Sequence, residues 1–197
     1  EERQVQFGIR AGVFPADLGE AQSVESVARR LRDDTNIGVL VNNAGINISG
    51  TFASQSAAEI NHMTSVNLTS ALTLAHAAAT RFAIEERGSI INLSSVVGLA
   101  PELGMPLYGA TKVFLLYLSQ ALNLELGTKG VYVQAVLPAV TRTRLWKLAG
   151  VDVDTLTGVM DAGEMVDAAL AGYDRREPVT IPSLHQEEHW SLHEQTR

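Results

Sequence analysis

There is no cysteine among the 197 residues. Disulfides, thiolate nucleophiles and cysteine-based zinc sites are therefore excluded. Basic residues are in deficit: 15 lysines and arginines stand against 22 aspartates and glutamates, a formal net charge of −7. An acidic chain gains nothing from a polyanion, which argues against nucleic acid and anionic membrane as partners. No apolar run approaches the ~20 residues of a membrane span. The opening stretch EERQVQFGIR lacks the apolar core of a secretory leader. A cytoplasmic protein is expected, so the Asn-x-Ser/Thr triplets at Asn47, Asn67 and Asn92 read as coincidence. Repeats, low-complexity tracts and linkers are also missing. One domain over residues 1–197 is expected.

What is present is an alternation of short apolar runs and helical patterns. Val24, Val27, Ala28 and Leu31 recur at i, i+3, i+4, i+7, one face of a helix. Ile37 to Val41 is a β-branched run closed by Asn42-Asn43-Ala44-Gly45. A long alanine-rich helix is expected over about Ser56 to Glu86, with Gly88 as its left-handed stop. Ser89 to Leu93 reads as a strand, Pro106 to Leu126 as a helix with proline in its first turn, and Val131 to Leu137 as a strand. A helix over Gly163 to Tyr173 and a short strand over Val179 to Ile181 follow. Continuous apolar strands alternating with helices predict an α/β fold, a parallel sheet covered on both faces. Ligands of such sheets sit beyond the carboxyl ends of the strands. Attention therefore falls on Asn42 to Gly45, on Ser94 and Ser95, and on Pro138 to Thr143.

Tyr108 and Lys112, in LYGATKVFLL, are one helical turn apart and share a face. An ammonium beside a phenol favours the phenolate and draws the tyrosine pKa down from about 10. Such a tyrosine can exchange a proton with an alcohol or carbonyl oxygen. The bland reading is a polar pair on a half-exposed helix, and the spacing alone does not decide between them. The serines closing the preceding strand favour the proton-transfer reading, since a hydroxyl there can hold the same oxygen. Asn67 lies inside a helix, where asparagine has no propensity advantage.

NNAG at 42–45, SVNLTS around Asn67, IINLSS at 90–95 and YGATK at 108–112 together resemble the classical short-chain dehydrogenase/reductase family. The 3-oxoacyl-carrier-protein reductases and hydroxysteroid-type dehydrogenases are similar to about the same degree. The resemblance runs from about Asp17 to Thr143. It implies a Rossmann-like, doubly wound sheet and NAD- or NADP-dependent interconversion of a secondary alcohol and a carbonyl. By resemblance, Tyr108 is the general acid/base, Ser95 polarises the substrate oxygen, and Ser94 is structural. Lys112 holds the nicotinamide ribose and lowers the tyrosine pKa. Asn67 bends its helix and anchors a proton-relay water. Cofactor contacts fall on Asp17 and Leu18 for adenine, on Asn43, Ala44 and Gly45 for the adenosine ribose, and on Thr141 and Thr143 for the carboxamide. A homotetramer or homodimer paired through helices 56–86 and 106–126 is implied as well.

Two departures stand out. Pro138-Ala139 replaces the family's Pro-Gly. The first strand–helix–strand unit, with the glycine-rich turn that cradles pyrophosphate, is not in the sequence. The native protein is therefore expected to extend beyond Glu1, and an intact mass equal to 21.2 kDa would contradict this. The alternative function is a non-catalytic relative or fragment serving as an assembly partner. Residues 144–162 stand where the family has its substrate loop, with Leu145, Trp146, Leu148 and Met160 as candidate pocket residues. His185, His189 and His193 recur every four residues, but an amphipathic terminal helix explains them better than a metal site, and no metal is expected.

Overall fold

The computed structural model describes residues 8–143, 146, 150–184, 190, 192 and 195. Four strands form one parallel sheet: β1 (Val39–Asn42), β2 (Gly88–Leu93), β3 (Val131–Val136) and β4 (Val179–Thr180), paired in chain order. Helix α1 (Ala21–Asp33) precedes β1; α2 (Ala57–Thr64) and α3 (Ser70–Glu85) connect β1 to β2. Helix α4 (Pro106–Leu126) connects β2 to β3, and α5 (Ala162–Asp174) connects β3 to β4. Each connection is long enough to carry the chain back for a parallel strand, as parallel pairing requires.

The register sorts the side chains by face. Leu40 is level with Ile90, and Ile90 with Val133; all three enter one apolar cluster with Val24, Ala28 and Leu31 of α1 and Leu74, Ala78 and Phe82 of α3. The alternating positions turn to the second face, where α5 lies: Ser89 meets the Tyr173 hydroxyl at 2.8 Å and Gln134 donates to Ala169 O at 3.1 Å. Over β1 that second face is bare, and Val39 and Val41 are exposed. Coverage of both faces thus holds for the centre of the sheet and not for β1. A buried arginine locks the covered face: Arg81 on α3 donates to Leu31 O at 2.7 Å and to Ile37 O.

The helix expected over 56–86 is interrupted. Ser56 caps α2 with a reciprocal capping box to Glu59, and Ser65–Thr69 then widen into a π-turn before α3 begins. The left-handed residue ending α3 is Glu86 (φ 51°), not Gly88. Gly88 opens β2 at φ 126°, and a Cβ there would lie 2.5 Å from the Phe82 ring. Glycine is required by that close approach. Val13 and Phe14 form neither helix nor strand. Among the described residues no strand pairs with the outer side of β1, which is the edge of the sheet.

Candidate active site

The carboxyl ends of β1, β2 and β3 converge on the first turn of α4. Tyr108 and Lys112 share its inner face, with the Lys112 ammonium 5.4 Å from the centre of the Tyr108 ring. Lys112 is only 4% exposed and donates to Leu93 O at 2.8 Å. Burial without a carboxylate partner brings its pKa down from 10.5 to about 8. The expected lowering of Tyr108 is not observed. Burial raises its phenol above 10, and the Ser95 hydroxyl opposes this only in part. The physical reason is desolvation, which penalises the charged form of each group and is the largest influence on the phenol.

Ser95 is buried at the end of β2, accepts from Val97 N at 3.2 Å and donates a long bond to Pro138 O at 3.3 Å. Ser94 instead donates to Lys112 O at 2.6 Å, which ties β2 to α4. Asn67 sits in the π-turn and is 1% exposed, buried rather than facing solvent. Its Oδ1 accepts from Ile46 N and its Nδ2 donates to Ile46 O, both at 2.8 Å. A second bond reaches the Thr111 hydroxyl at 3.3 Å. The widened turn brings this amide to the loop after β1, and Gly45 leaves room for it: a Cβ there would stand 3.5 Å from Lys112 Nζ and 3.6 Å from Asn67 Oδ1.

The remaining cofactor candidates are less concentrated. Asn43 and Ala44 are exposed beyond β1. Asp17 uses Oδ1 to accept from Gly19 N at 2.8 Å, and Leu18 packs against the core. Thr141 is buried, donates to Ala139 O at 3.1 Å, and its carbonyl accepts from the Trp146 indole at 2.8 Å; Thr143 is exposed. Met160 is engaged through its backbone, bridging Thr141 and bonding to Val140 and Arg142. Leu145, Leu148, His185, His189 and His193 lie outside the described residues. Among the described residues no cluster of three metal-ligating side chains exists.

Sequence reasoning passed over a buried polar ladder beneath the site. Asn42 donates to Ala71 O at 3.1 Å and to Asn92 Oδ1 at 2.9 Å. Asn92 donates to Ser119 Oγ at 2.8 Å, and Ser119 to Leu115 O at 2.6 Å. The signal was an amide interrupting each of two apolar strands. A buried amide needs partners, and these two are level in adjacent strands.

A parallel α/β sheet with tyrosine, lysine, serine and asparagine gathered at its carboxyl edge defines a Rossmann-type protein. A family model described as short chain dehydrogenase matches residues 1–153, and the chain belongs to the short-chain dehydrogenase/reductase family. A short-chain dehydrogenase from Sphingobium yanoikuyae, solved in complex with NADPH, is 49% identical. It superposes with a TM-score of 0.97 over 100% of this chain and 77% of its own. The bulky-bulky ketone specific alcohol dehydrogenase from Comamonas testosteroni is 51% identical in its orthorhombic form, with a TM-score of 0.90 over 100% of this chain and 75% of its own. A very-long-chain 3-oxoacyl-CoA reductase of Anas platyrhynchos is 31% identical over 77% of this chain. The chain spans 50% of that relative's length.

Proposed function

We propose that this chain forms the catalytic part of an NAD(P)-dependent oxidoreductase that interconverts a ketone and a secondary alcohol. The observation that carries the reading is the meeting of half-buried Tyr108 with buried Lys112 and Ser95 at the ends of the strands, with Asn67 bonded to Ile46 in the loop after β1. The donor set fits the nicotinamide end of a dinucleotide: a buried ammonium bonded to Leu93 O faces a glycine at Gly45. Lys112 would hold the ribose, Thr141 and Thr143 the carboxamide, and Asn43, Ala44 and Gly45 the adenosine ribose. Asp17 and Leu18 would border the adenine. Among the described residues no glycine-rich turn stands at a helix N-terminus to cradle pyrophosphate. When bound, the nicotinamide supplies or accepts the hydride.

The chain's own residues handle the proton. In ketone reduction, Ser95 turns its hydroxyl from the long Pro138 bond to the carbonyl oxygen. Tyr108 then gives its Oη proton to that oxygen as it gains charge, and Lys112 stabilises the phenolate left behind. A phenol pKa held above 10 suits a group that must remain protonated until that moment. The close similarity to a bulky-bulky ketone specific enzyme supports large ketones as the substrate class. The absence of a membrane-length apolar helix among the described residues and the acidic composition support a cytoplasmic protein that binds small molecules rather than nucleic acid. Val113, Tyr117 and Leu124, exposed on one side of α4, support pairing with a second copy as a homodimer or homotetramer.

The test is ketone reduction followed by NADPH and NADH absorbance. Tyr108→Phe is expected to lower kcat by about 10²-fold or more with an unchanged circular dichroism spectrum. Turnover retained in this variant would remove Tyr108 from the role. A cofactor fluorescence titration showing no binding of either dinucleotide would favour the assembly-partner alternative.

A further inference from the structure

The turn after Ser95 lies on α4 backbone to backbone. Val96–Leu99 form a single 3-10 turn that Ser95 caps. The Ser95 hydroxyl accepts from Val97 N at 3.2 Å, and its carbonyl accepts from Gly98 N at 3.1 Å. Ser95 and Gly98 are thus the two ends of one hydrogen-bonded turn. Gly98 is where that turn meets the helix: a Cβ there would stand 2.9 Å from Val113 N and 3.2 Å from Lys112 C. Both atoms are helix backbone and cannot swing aside as a side chain can, so only glycine allows this approach. Gly109 thins the helix in the same way, with Val97 O 3.3 Å from where its Cβ would be. On the other side of Ser95, the Ser94 hydroxyl donates to Lys112 O at 2.6 Å.

The two hydroxyls of the site hang from this seam. Ser95 opens the turn, and Tyr108 stands just before Gly109 and one helical turn before Lys112. The Ser95 hydroxyl acts on the Tyr108 phenol, a contact that holds only while the two oxygens stay within about 3 Å. The sheet fixes one side of the turn, through Val96 N to Pro138 O at 3.1 Å. The seam fixes the turn against the helix that carries Tyr108. A Cβ at Gly98 would wedge the turn away from α4, and the bond from Gly98 N to Ser95 O would carry the shift to Ser95. Loss of the Ser94 hydroxyl would free the same turn from its other side.

We propose that Ser94 and Gly98 are positioning residues for proton transfer: they seat the turn on α4 from either side of Ser95, and that seating sets the spacing of the Ser95 and Tyr108 hydroxyls. This rests on the oxidoreductase reading above. Both residues act through Ser95, so the experiment is a double-mutant cycle. Benzophenone reduction is followed at saturating NADPH in the wild type, Gly98→Ala, Ser95→Ala and the double variant. Gly98→Ala is expected to lower kcat by about fivefold or more, since a misplacement of ~1 Å can cost ~10²-fold. In the Ser95→Ala background the same substitution is expected to cost less than about twofold. A general loosening of the fold would cost the same in both backgrounds. Ser94→Ala, carried through the same cycle with the same expectations, serves if Gly98→Ala does not fold. A loss below about fivefold in the folded variant, or one that stays above about twofold in the Ser95→Ala background, overturns the positioning role while the oxidoreductase reading stands. No turnover of benzophenone or acetone by the wild type overturns both.

Discussion

Lys112 carries a cost that depends on pH. Its folded pKa of about 8 lies below the ordinary 10.5, so the unfolded chain binds more protons between those values. Stability then rises with pH across that window, because unfolding takes up a proton there. The lysine's penalty is complete below about pH 8 and is relieved as pH climbs toward 10.5. The full relief is about 3 kcal/mol at ~1.4 kcal/mol per pKa unit. Tyr108 acts in the opposite sense above pH 10, where its raised pKa keeps a proton that the unfolded chain loses. Urea unfolding at pH 7.5 and pH 9.5 is expected to show the wild type gaining stability relative to Lys112→Met. Parallel curves for the two proteins would mean that Lys112 is hydrated and its pKa ordinary. This charge state was not legible in the sequence. The spacing of Tyr108 and Lys112 gave their shared face, and the sign of the tyrosine shift was still wrong, since it depends on how much water burial removes.

At the scale of elements, the ladder of Asn42, Asn92 and Ser119 joins the parts that carry the site. Asn42 precedes Asn43 on β1, and Asn92 lies three residues before Ser95 on β2. Ala71 is four residues past Asn67, and Ser119 is two turns beyond Lys112 on α4. Ser119→Ala would leave the Asn92 amide with one donor unpaired at a fully buried position. The expected loss is about 1–3 kcal/mol, read as a lower midpoint in chemical unfolding. An unchanged midpoint would show that water or a shifted side chain replaces the hydroxyl. Strands and helices with strong apolar periods were legible from sequence: α4 begins and ends at Pro106 and Leu126 as expected. The π-turn at Asn67 was legible only through the family resemblance, which has Asn67 bend its helix, because its cause is tertiary. The amide is drawn to both backbone groups of Ile46, and no local pattern records that. The left-handed Glu86 was likewise hidden, since Gly88 is the residue type favoured for that conformation, while the Phe82 ring fixes Gly88 for a different reason.

At the scale of the whole molecule, α4 has two apolar faces. One buries Leu115, Leu116 and Leu126 against the sheet. The other presents Val113, Tyr117 and Leu124, the last two 68% and 81% exposed. These three fall at i, i+4 and i+11, within ~40° of one another around the helix. A stripe of this kind left in water is unfavourable, and burying it in a self-complementary contact contributes roughly 25 cal/mol for each Å² covered. The same helix carries Tyr108 and Lys112 on its first turns, so such a contact would stiffen the element that positions the proposed proton donor. Tyr117→Lys places a charge on that stripe without touching the buried face. In a twofold contact the two lysines would approach each other, adding like-charge repulsion to lost apolar area. Light scattering coupled to size exclusion is expected to show the wild type as a dimer or tetramer and Tyr117→Lys as a smaller species, with helix content unchanged. An assembly of the same mass in the variant would move the interface elsewhere on the molecule and leave the outer stripe of α4 without that role.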